Sequence, residues 1–247
     1  MIRTIWISLH VILATFVFGT LAVLSAAIGV RGPVHHWYAR TWARWLLRAN
    51  GTRVTVEGLE HIAPDRPQII ASNHVSWFDV LAIAAILPKR ARFVAKKELG
   101  TIPLFGQAWK AAGHIEIDRR DLTAAVAALE RAGQLTREDN SAVVIFPEGT
   151  RAGSSSLLPF KKGAFMLALV SGIEIVPAAV LGSRAILPRD SWRVRRGRIT
   201  LRFAPPVAMT AYSERNRDEL VARVRGTVEQ LLARPAAPDQ HGEREPQ

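Results

Sequence analysis

Gln68-Ile-Ile-Ala-Ser-Asn-His-Val-Ser-Trp-Phe-Asp-Val-Leu-Ala-Ile-Ala-Ala-Ile-Leu87 reads as a short apolar strand, a polar turn and an apolar helix in direct succession. The same punctuation recurs along the chain. Arg53–Val56, Gln68–Ser72, Arg92–Ala95, His114–Ile117, Ala142–Phe146, Ile175–Leu181 and Ile199–Phe203 are apolar, often β-branched, and bounded by Gly, Pro or polar residues, which predicts strands. Trp77–Leu87, Leu122–Leu135, Lys161–Ser171 and a closing segment near Ser213–Ala233 carry helical periodicity. Strands alternating with helices predict the α/β class, a largely parallel or mixed sheet flanked by helices. The turn after Gln68–Ser72 then falls at the carboxyl end of a strand, where open α/β sheets place their ligands.

Length fits that reading: 247 residues and 27.2 kDa suffice for one catalytic domain plus an appendage. There is no cysteine, which excludes disulfides, thiol nucleophiles, iron–sulfur clusters and cysteine-ligated zinc. The formal net charge is +12, from 33 Lys and Arg against 21 Asp and Glu, so polyanions and anionic lipid surfaces are natural partners. No internal repeat is visible.

The appendage is at the amino end. Ile5–Val30 contains one ionisable residue, His10, and as a helix would reach ~39 Å, enough to cross a hydrocarbon core of about 30 Å. Arg3 and Ser25-Ala26-Ala27 also fit a cleavable signal peptide, but such apolar regions usually hold about 7–15 residues, so length favours a retained anchor. Next, His35–Asn50 forms a predicted amphipathic helix, with Tyr38, Trp42, Trp45, Leu46 and Ala49 on one face and Arg40, Arg44 and Arg48 on another. A Trp-rich face beside an Arg face suits a helix in the lipid interface; a core-facing helix has the same pattern. Positive charge is denser after the apolar run, which puts the rest of the chain on the cytoplasmic side of a membrane, whether the anchor spans it or dips into one leaflet. The expected organisation is a membrane anchor over residues 1–50, an α/β domain over 51–233 and a polar, proline-bearing disordered tail over 234–247.

Two stretches carry chemistry. In Asn73-His-Val-Ser-Trp-Phe-Asp79, His74 and Asp79 are five residues apart, about 140° on an ideal helix, so they meet only with His74 on the turn and Asp79 a turn into the helix. Asp79 could then fix the imidazole tautomer and leave the other nitrogen to take a proton. A plain polar helix start capped by Asn73 or Ser76 would look alike. The second stretch follows the strand Ala142–Phe146. Pro147-Glu-Gly-Thr-Arg151 offers backbone N–H groups around Gly149 and Thr150 and a planar Arg151 cation, the parts of a phosphate site, with Glu148 able to accept hydrogen bonds from a polyol.

Together these motifs resemble those of the 1-acylglycerol-3-phosphate O-acyltransferases, which acylate lysophosphatidic acid to phosphatidic acid. NHVSWFD and FPEGTR match the first and third motifs, Gly113–Arg119 looks like the second and Ile175–Val180 like the fourth; Val94–Leu99 and Ile102–Gly106 also fit. The resemblance spans about residues 50–205 and implies a glycerolipid-acyltransferase-like mixed sheet. It implies His74 as general base, Asp79 as its orienting partner, Arg151 on the acceptor phosphate with Gly149 and Thr150 shaping the turn, and Glu148 on the glycerol. Lys96 and Arg119 would add positive potential. His114 and Glu116 stand where relatives often carry apolar residues, which weakens the match around Arg119.

An acyl thioester is already activated, and the chain has neither a cysteine nor a G-x-S-x-G nucleophile elbow, so direct attack is expected. Neither a metal nor a cofactor is expected beyond acyl-CoA or acyl-carrier protein as co-substrate. Membrane phospholipids and lysophosphatidic acid are the expected partners, and the sequence does not specify an oligomeric state. Lyso-ornithine lipid or another lysolipid is the rival acceptor; a non-catalytic basic membrane adaptor is the rival of another class. Nucleic acid is not an expected partner: between Arg184 and Arg202 arginines cluster at 189, 193, 195, 196 and 198, but Trp192 is the one aromatic among them. That stretch reads as a surface facing anionic headgroups.

Overall fold

Alternate side chains of one short strand nucleate both cores. In the computed structural model, which describes residues 1–30, 32–118, 122–154 and 156–235, β2 (Gln68–Ser72) is buried along its whole length. Ile70 faces one hydrophobic cluster, while Ile69 and Ala71 face the other. Burial on both faces is why this strand reads as a continuous apolar run. Each fully buried Ile contributes roughly 2–3 kcal/mol of transfer free energy.

Around it lie β1 (Arg53–Glu57), β3 (Ala91–Lys96), β4 (Ile115–Ile117), β5 (Ala142–Ile145), β6 (Ile175–Leu181) and β7 (Arg198–Phe203). The seven strands run in the order β1-β7-β6-β2-β5-β3-β4, parallel throughout except for the antiparallel pair β6–β7. This is the mixed sheet expected. On one face pack α2 (Pro33–Asn50), α3 (Trp77–Ile86), α4 (Phe105–Ala111) and the single turn α7 (Ser183–Ile186). On the other pack α5 (Leu122–Glu138), α6 (Met166–Ser171) and α8 (Arg217–Ala233).

Element boundaries move where local chemistry overrides periodicity. The segment expected as one helix over 161–171 begins as a 3₁₀ turn, Lys162–Phe165, containing Gly163, a poor helix former, before α6. A 3₁₀ turn, Glu214–Asn216, likewise precedes α8. The second motif enters its strand at Ile115 rather than His114, because the His114 ring is turned in, its Nδ1 accepting from Phe93 N at 3.1 Å.

The amino-terminal helix α1 spans Ile2–Ala27, three residues earlier at each end than the apolar run, with Gly29 and Gly32 at φ +82° and +80° reversing the chain. It lies antiparallel along α2. Arg3 Nη1 donates to Asn50 O (2.9 Å) and Trp6 Nε1 to Ala49 O (3.0 Å) at one end, and His35 Nε2 meets Ala22 O (3.1 Å) at the other. Trp42 Nε1 donates to Thr15 Oγ1 and Trp45 packs edge-on against Phe18, so the Trp face of α2 is directed at α1. Arg40 and Arg44 both donate through Nε to Ala85 O, at 3.2 and 3.1 Å. That carbonyl lies in the last turn of α3, where no intrahelical donor remains, so two of the three arginines expected on a headgroup-facing surface serve as a helix cap.

The start of the expected tail is tethered; residues 236–247 lie outside the described residues. Buried Arg202 donates to Leu231 O (2.7 Å), Arg234 O (2.6 Å) and Pro235 O (2.8 Å) and pairs with Glu57 at 3.2 Å. Arg202→Ala should therefore destabilise the fold by about 3 kcal/mol, the usual cost of breaking a buried ion pair. Urea unfolding of the detergent-solubilised protein measures it, and an unchanged midpoint would refute this account.

Candidate active site

β2 delivers its chain into a turn that α3 then closes. Ser76 is the N-cap of α3: its Oγ accepts from Phe78 N at 3.2 Å, and Asp79, at the third helical position, completes a capping box through Ser76 N at 2.9 Å. The same Asp79 Oδ2 accepts from Val75 N (2.7 Å) and meets His74 Nδ1 at 2.9 Å. The geometry anticipated for this pair, His74 on the turn and Asp79 in the first helical turn, is the one found. The Asp79 side chain is 0% exposed and that of His74 14%. Set against a carboxylate, which accepts, Nδ1 is the donor of the pair, and Nε2 is the nitrogen turned away from Asp79. Nε2 has no partner among the described residues.

The third-motif loop grips the backbone of the same histidine. His74 N donates to Glu148 Oε1 at 2.7 Å, and Ala152 N donates to His74 O at 2.7 Å. The other Glu148 oxygen accepts from Leu158 N at 2.9 Å. Glu148 is 2% exposed, with each oxygen engaged by a backbone amide. Glu148, expected on the glycerol, here clamps the histidine from behind through these two amides. Burial pushes its carboxyl above the usual range, and the two amide hydrogen bonds pull it partly back.

Neighbouring side chains complete the pocket. Phe146 stacks on the His74 ring, centroids 4.1 Å apart and planes 16° from parallel. Asn73 imitates a strand residue, its Nδ2 donating to Val180 O (3.0 Å) and its Oδ1 accepting from Val180 N (2.7 Å), which pins the turn to β6. The Arg151 guanidinium lies over the Trp77 ring, Cζ 5.3 Å from its centroid, and has no hydrogen bond or ion pair among the described residues. Gly149 adopts φ +72°, and a Cβ there would come within 3.0 Å of Lys161 Cδ and Cε and 3.2 Å of its Nζ. Sequence reasoning singled out neither Phe146 nor Lys161, and it considered Asn73 only as a helix cap. Phe146 lay inside the quoted motif, while only the fold brings Lys161 across Gly149.

A family model described as Acyltransferase matches residues 53–181, more than half of the chain. The chain belongs to the acyltransferase family. It is 34% identical over 177 residues to a 1-acyl-sn-glycerol-3-phosphate acyltransferase of Cocos nucifera, covering 72% of this chain and 57% of that one. To the 1-acyl-sn-glycerol-3-phosphate acyltransferase alpha of Homo sapiens it is 35% identical over 175 residues, covering 71% and 62%. The chain therefore spans less than two thirds of the length of these relatives. The crystal structure of the 1-acyl-sn-glycerophosphate (LPA) acyltransferase PlsC from Thermotoga maritima superposes with a TM-score of 0.75 at 26% identity, over 96% of this chain and 99% of that one.

In this member of the acyltransferase family the residues singled out from sequence gather unevenly. His74, Asp79, Glu148, Gly149, Thr150 and Arg151 share the carboxyl ends of β2 and β5. Lys96 ends β3, two strands from β2 along the same parallel edge, hence about 10 Å away laterally. Arg119 lies outside the described residues.

Two substitutions separate the roles. With His74 in its expected role as base, Asp79→Asn should lower kcat by about 10²–10⁴-fold with little change in KM, because a neutral amide would not stabilise an imidazolium formed on proton transfer. Glu148→Gln offers only one acceptor to two amides and so leaves a buried N–H facing a donor, at about 1–3 kcal/mol. Its kcat should fall while the acceptor KM stays near wild type; steady-state kinetics that show the reverse split would return Glu148 to the glycerol.

Proposed function

We propose that this protein is a membrane-bound acyltransferase moving a fatty acyl group from acyl-CoA or acyl-carrier protein to the sn-2 hydroxyl of 1-acylglycerol-3-phosphate, giving phosphatidic acid. The observation that carries the reading is His74, with Nδ1 on buried Asp79 and Nε2 unpartnered, beside an Arg151 guanidinium stacked on Trp77. The names of the similar proteins point to the same acceptor class.

In this mechanism the acceptor phosphate pairs with Arg151, whose planar fork suits phosphate oxygens. His74 Nε2 takes the hydroxyl proton as the oxygen attacks the thioester carbonyl. Asp79 stabilises the imidazolium without accepting the proton itself. Collapse of the tetrahedral intermediate breaks the C–S bond, and the thiolate leaves with the proton held by His74. For the oxyanion, the start of α3 offers an amide: among its first three residues Phe78 N and Asp79 N have acceptors on Ser76, whereas Trp77 N has none among the described residues. General-base assistance supplies about 10²–10⁴-fold, so positioning and oxyanion stabilisation supply the remainder.

The membrane side of the reading rests on α1. Its best window has a mean hydropathy of 2.2 with 22% of it buried, so most of this apolar helix faces outward. Thr4 Oγ1 accepts from Val194 N (3.2 Å), and a Cβ on Gly19 would sit 3.0 Å from Leu104. Fifteen residues of helix, about 22 Å, thus run alongside the catalytic domain. That favours an anchor sunk in one leaflet, its exposed Ile5, Leu9, Ile12 and Phe16 in lipid, over one that crosses the bilayer. The catalytic domain is assigned to the cytoplasmic face.

Purified protein in lipid, supplied with acyl-CoA and either lysophosphatidic acid or lyso-ornithine lipid, tests the reading. Phosphatidic acid should form preferentially, and His74→Ala should remove at least about 10²-fold of the rate without releasing the protein from vesicles. Near wild-type turnover by that variant would end the assignment of His74 as base. Arg151→Ala should raise the acceptor KM by roughly 10–100-fold, the worth of charge-assisted hydrogen bonds, with a smaller effect on the acyl donor. Preference for the phosphate-free acceptor would overturn the role of Arg151.

A further inference from the structure

The segment from Leu187 to Gly197 links α7 to β7 and has no part in the chemistry above, yet it joins the catalytic turn to the membrane helix. Leu187 O accepts from Ser76 Oγ at 2.8 Å, and Arg189 Nη1 donates to Arg151 O at 2.9 Å. Further along, Val194 N donates to Thr4 Oγ1 of α1 at 3.2 Å, and Asn50 Nδ2, at the end of α2, donates to Arg195 O at 2.9 Å. Between these fixed points the Trp192 side chain stands 91% exposed. Arg193, Arg195 and Arg196 are exposed too, and their guanidinium groups have no hydrogen bond or ion pair among the described residues. The sole acidic residue between Arg189 and Arg198 is Asp190, itself 3.7 Å from Arg189.

An indole held out in water with no partner is a poor arrangement for a soluble surface and a good one for a lipid interface, where its apolar body and its N–H find different surroundings. Trp192 is two residues from Val194, so their Cα atoms are at most about 7 Å apart. The end of α1 that Val194 touches exposes Ile2, Ile5, Trp6 and Leu9. Trp192 therefore lies near the exposed apolar end of α1, and the three arginines follow it with charge of the sign that anionic headgroups attract.

We propose that the Trp192 loop is a second membrane contact: Trp192 enters the headgroup–acyl boundary of an anionic leaflet, and Arg193, Arg195 and Arg196 pair with its lipid phosphates. Through Arg189 and Leu187 this loop sets the height of Arg151 and Ser76 above the leaflet. The inference rests on the membrane-bound reading and adds to it a basic, lipid-reading attachment beside the acceptor site.

Because the chain has no cysteine, Ser191→Cys supplies a single thiol for an environment-sensitive fluorophore next to an intact Trp192. The labelled protein is bound to phosphatidylcholine vesicles with or without phosphatidylglycerol, and quenching by lipid-borne nitroxide is compared with quenching by aqueous iodide. With phosphatidylglycerol the label should be quenched from the lipid and shielded from iodide. Adding Trp192→Ala should abolish the lipid quenching while α1 still holds the protein on the vesicles. Replacing Arg193, Arg195 and Arg196 by Gln should lower the ratio of lipid-quenched to iodide-accessible label by about fivefold per arginine. A label equally open to iodide on all vesicles, or one shielded by an oligonucleotide and not by vesicles, would overturn the proposal. The readout needs no turnover, so its failure and that of the acyl-transfer reading are told apart.

Discussion

One carboxylate oxygen holds the catalytic turn in shape. Asp79 Oδ2 accepts from Val75 N, Ser76 N and His74 Nδ1 together, so the contacts that start α3 also orient the imidazole. The turn cannot relax without losing the cap, and the same oxygen that completes the cap receives the imidazole. Such an arrangement needs a helix fixed against a sheet. The burial of Leu81, Ala82 and Ile83 in the core that α3 shares with α2 and the sheet provides that fixity, as does the capping of its far end by Arg40 and Arg44. Catalytic geometry here is a consequence of helix termination chemistry at both ends of one ten-residue element.

A second constraint comes from β5. Its loop returns Glu148 and Ala152 to the two backbone polar groups of His74, so this histidine is held by main chain as well as by side chain. Burying a carboxylate is costly unless its oxygens are satisfied, and Glu148 meets that condition with two amides, that of His74, 74 positions before it, and that of Leu158, 10 positions after it. Parallel pairing of β2 with β5 makes the closure possible, since both chains leave the sheet at the same edge.

How much of this was legible in the sequence depended on whether the determining contact was local. The strand–turn–helix around His74, the sheet class and the pairing of His74 with Asp79 all follow from neighbours within a few residues, and all are found. The role of Glu148 did not follow, because its partners, 74 and 10 positions away in sequence, are visible only once the sheet has formed. The same holds for Asn73, which looks like a cap candidate and instead pairs with Val180 across 107 positions. The two faces of α2 show a different limit. Amphipathicity specifies that a helix has two environments but not which they are, and here the Trp face meets α1 while two arginines cap α3.

The placement of α1 bears on how a lipid acceptor reaches His74. Moving a lysolipid wholly into water exposes its acyl chain at about 0.8 kcal/mol per CH₂, on the order of 10 kcal/mol for a typical chain. A base with its free nitrogen at the carboxyl edge of the sheet avoids this cost only if that edge sits at headgroup depth, with the tail left in the leaflet. In the proposed one-leaflet arrangement, a helix lying along the domain, rather than leading away from it, would fix that depth: Thr4 and Gly19 both touch the body that carries His74. A spanning anchor on a flexible link would confine the enzyme to the membrane without setting its height. For the proposed chemistry at a headgroup hydroxyl, height is the coordinate that matters, and the packing of α1 on α4 and of α2 on α3 would tie it to the helix that carries Asp79.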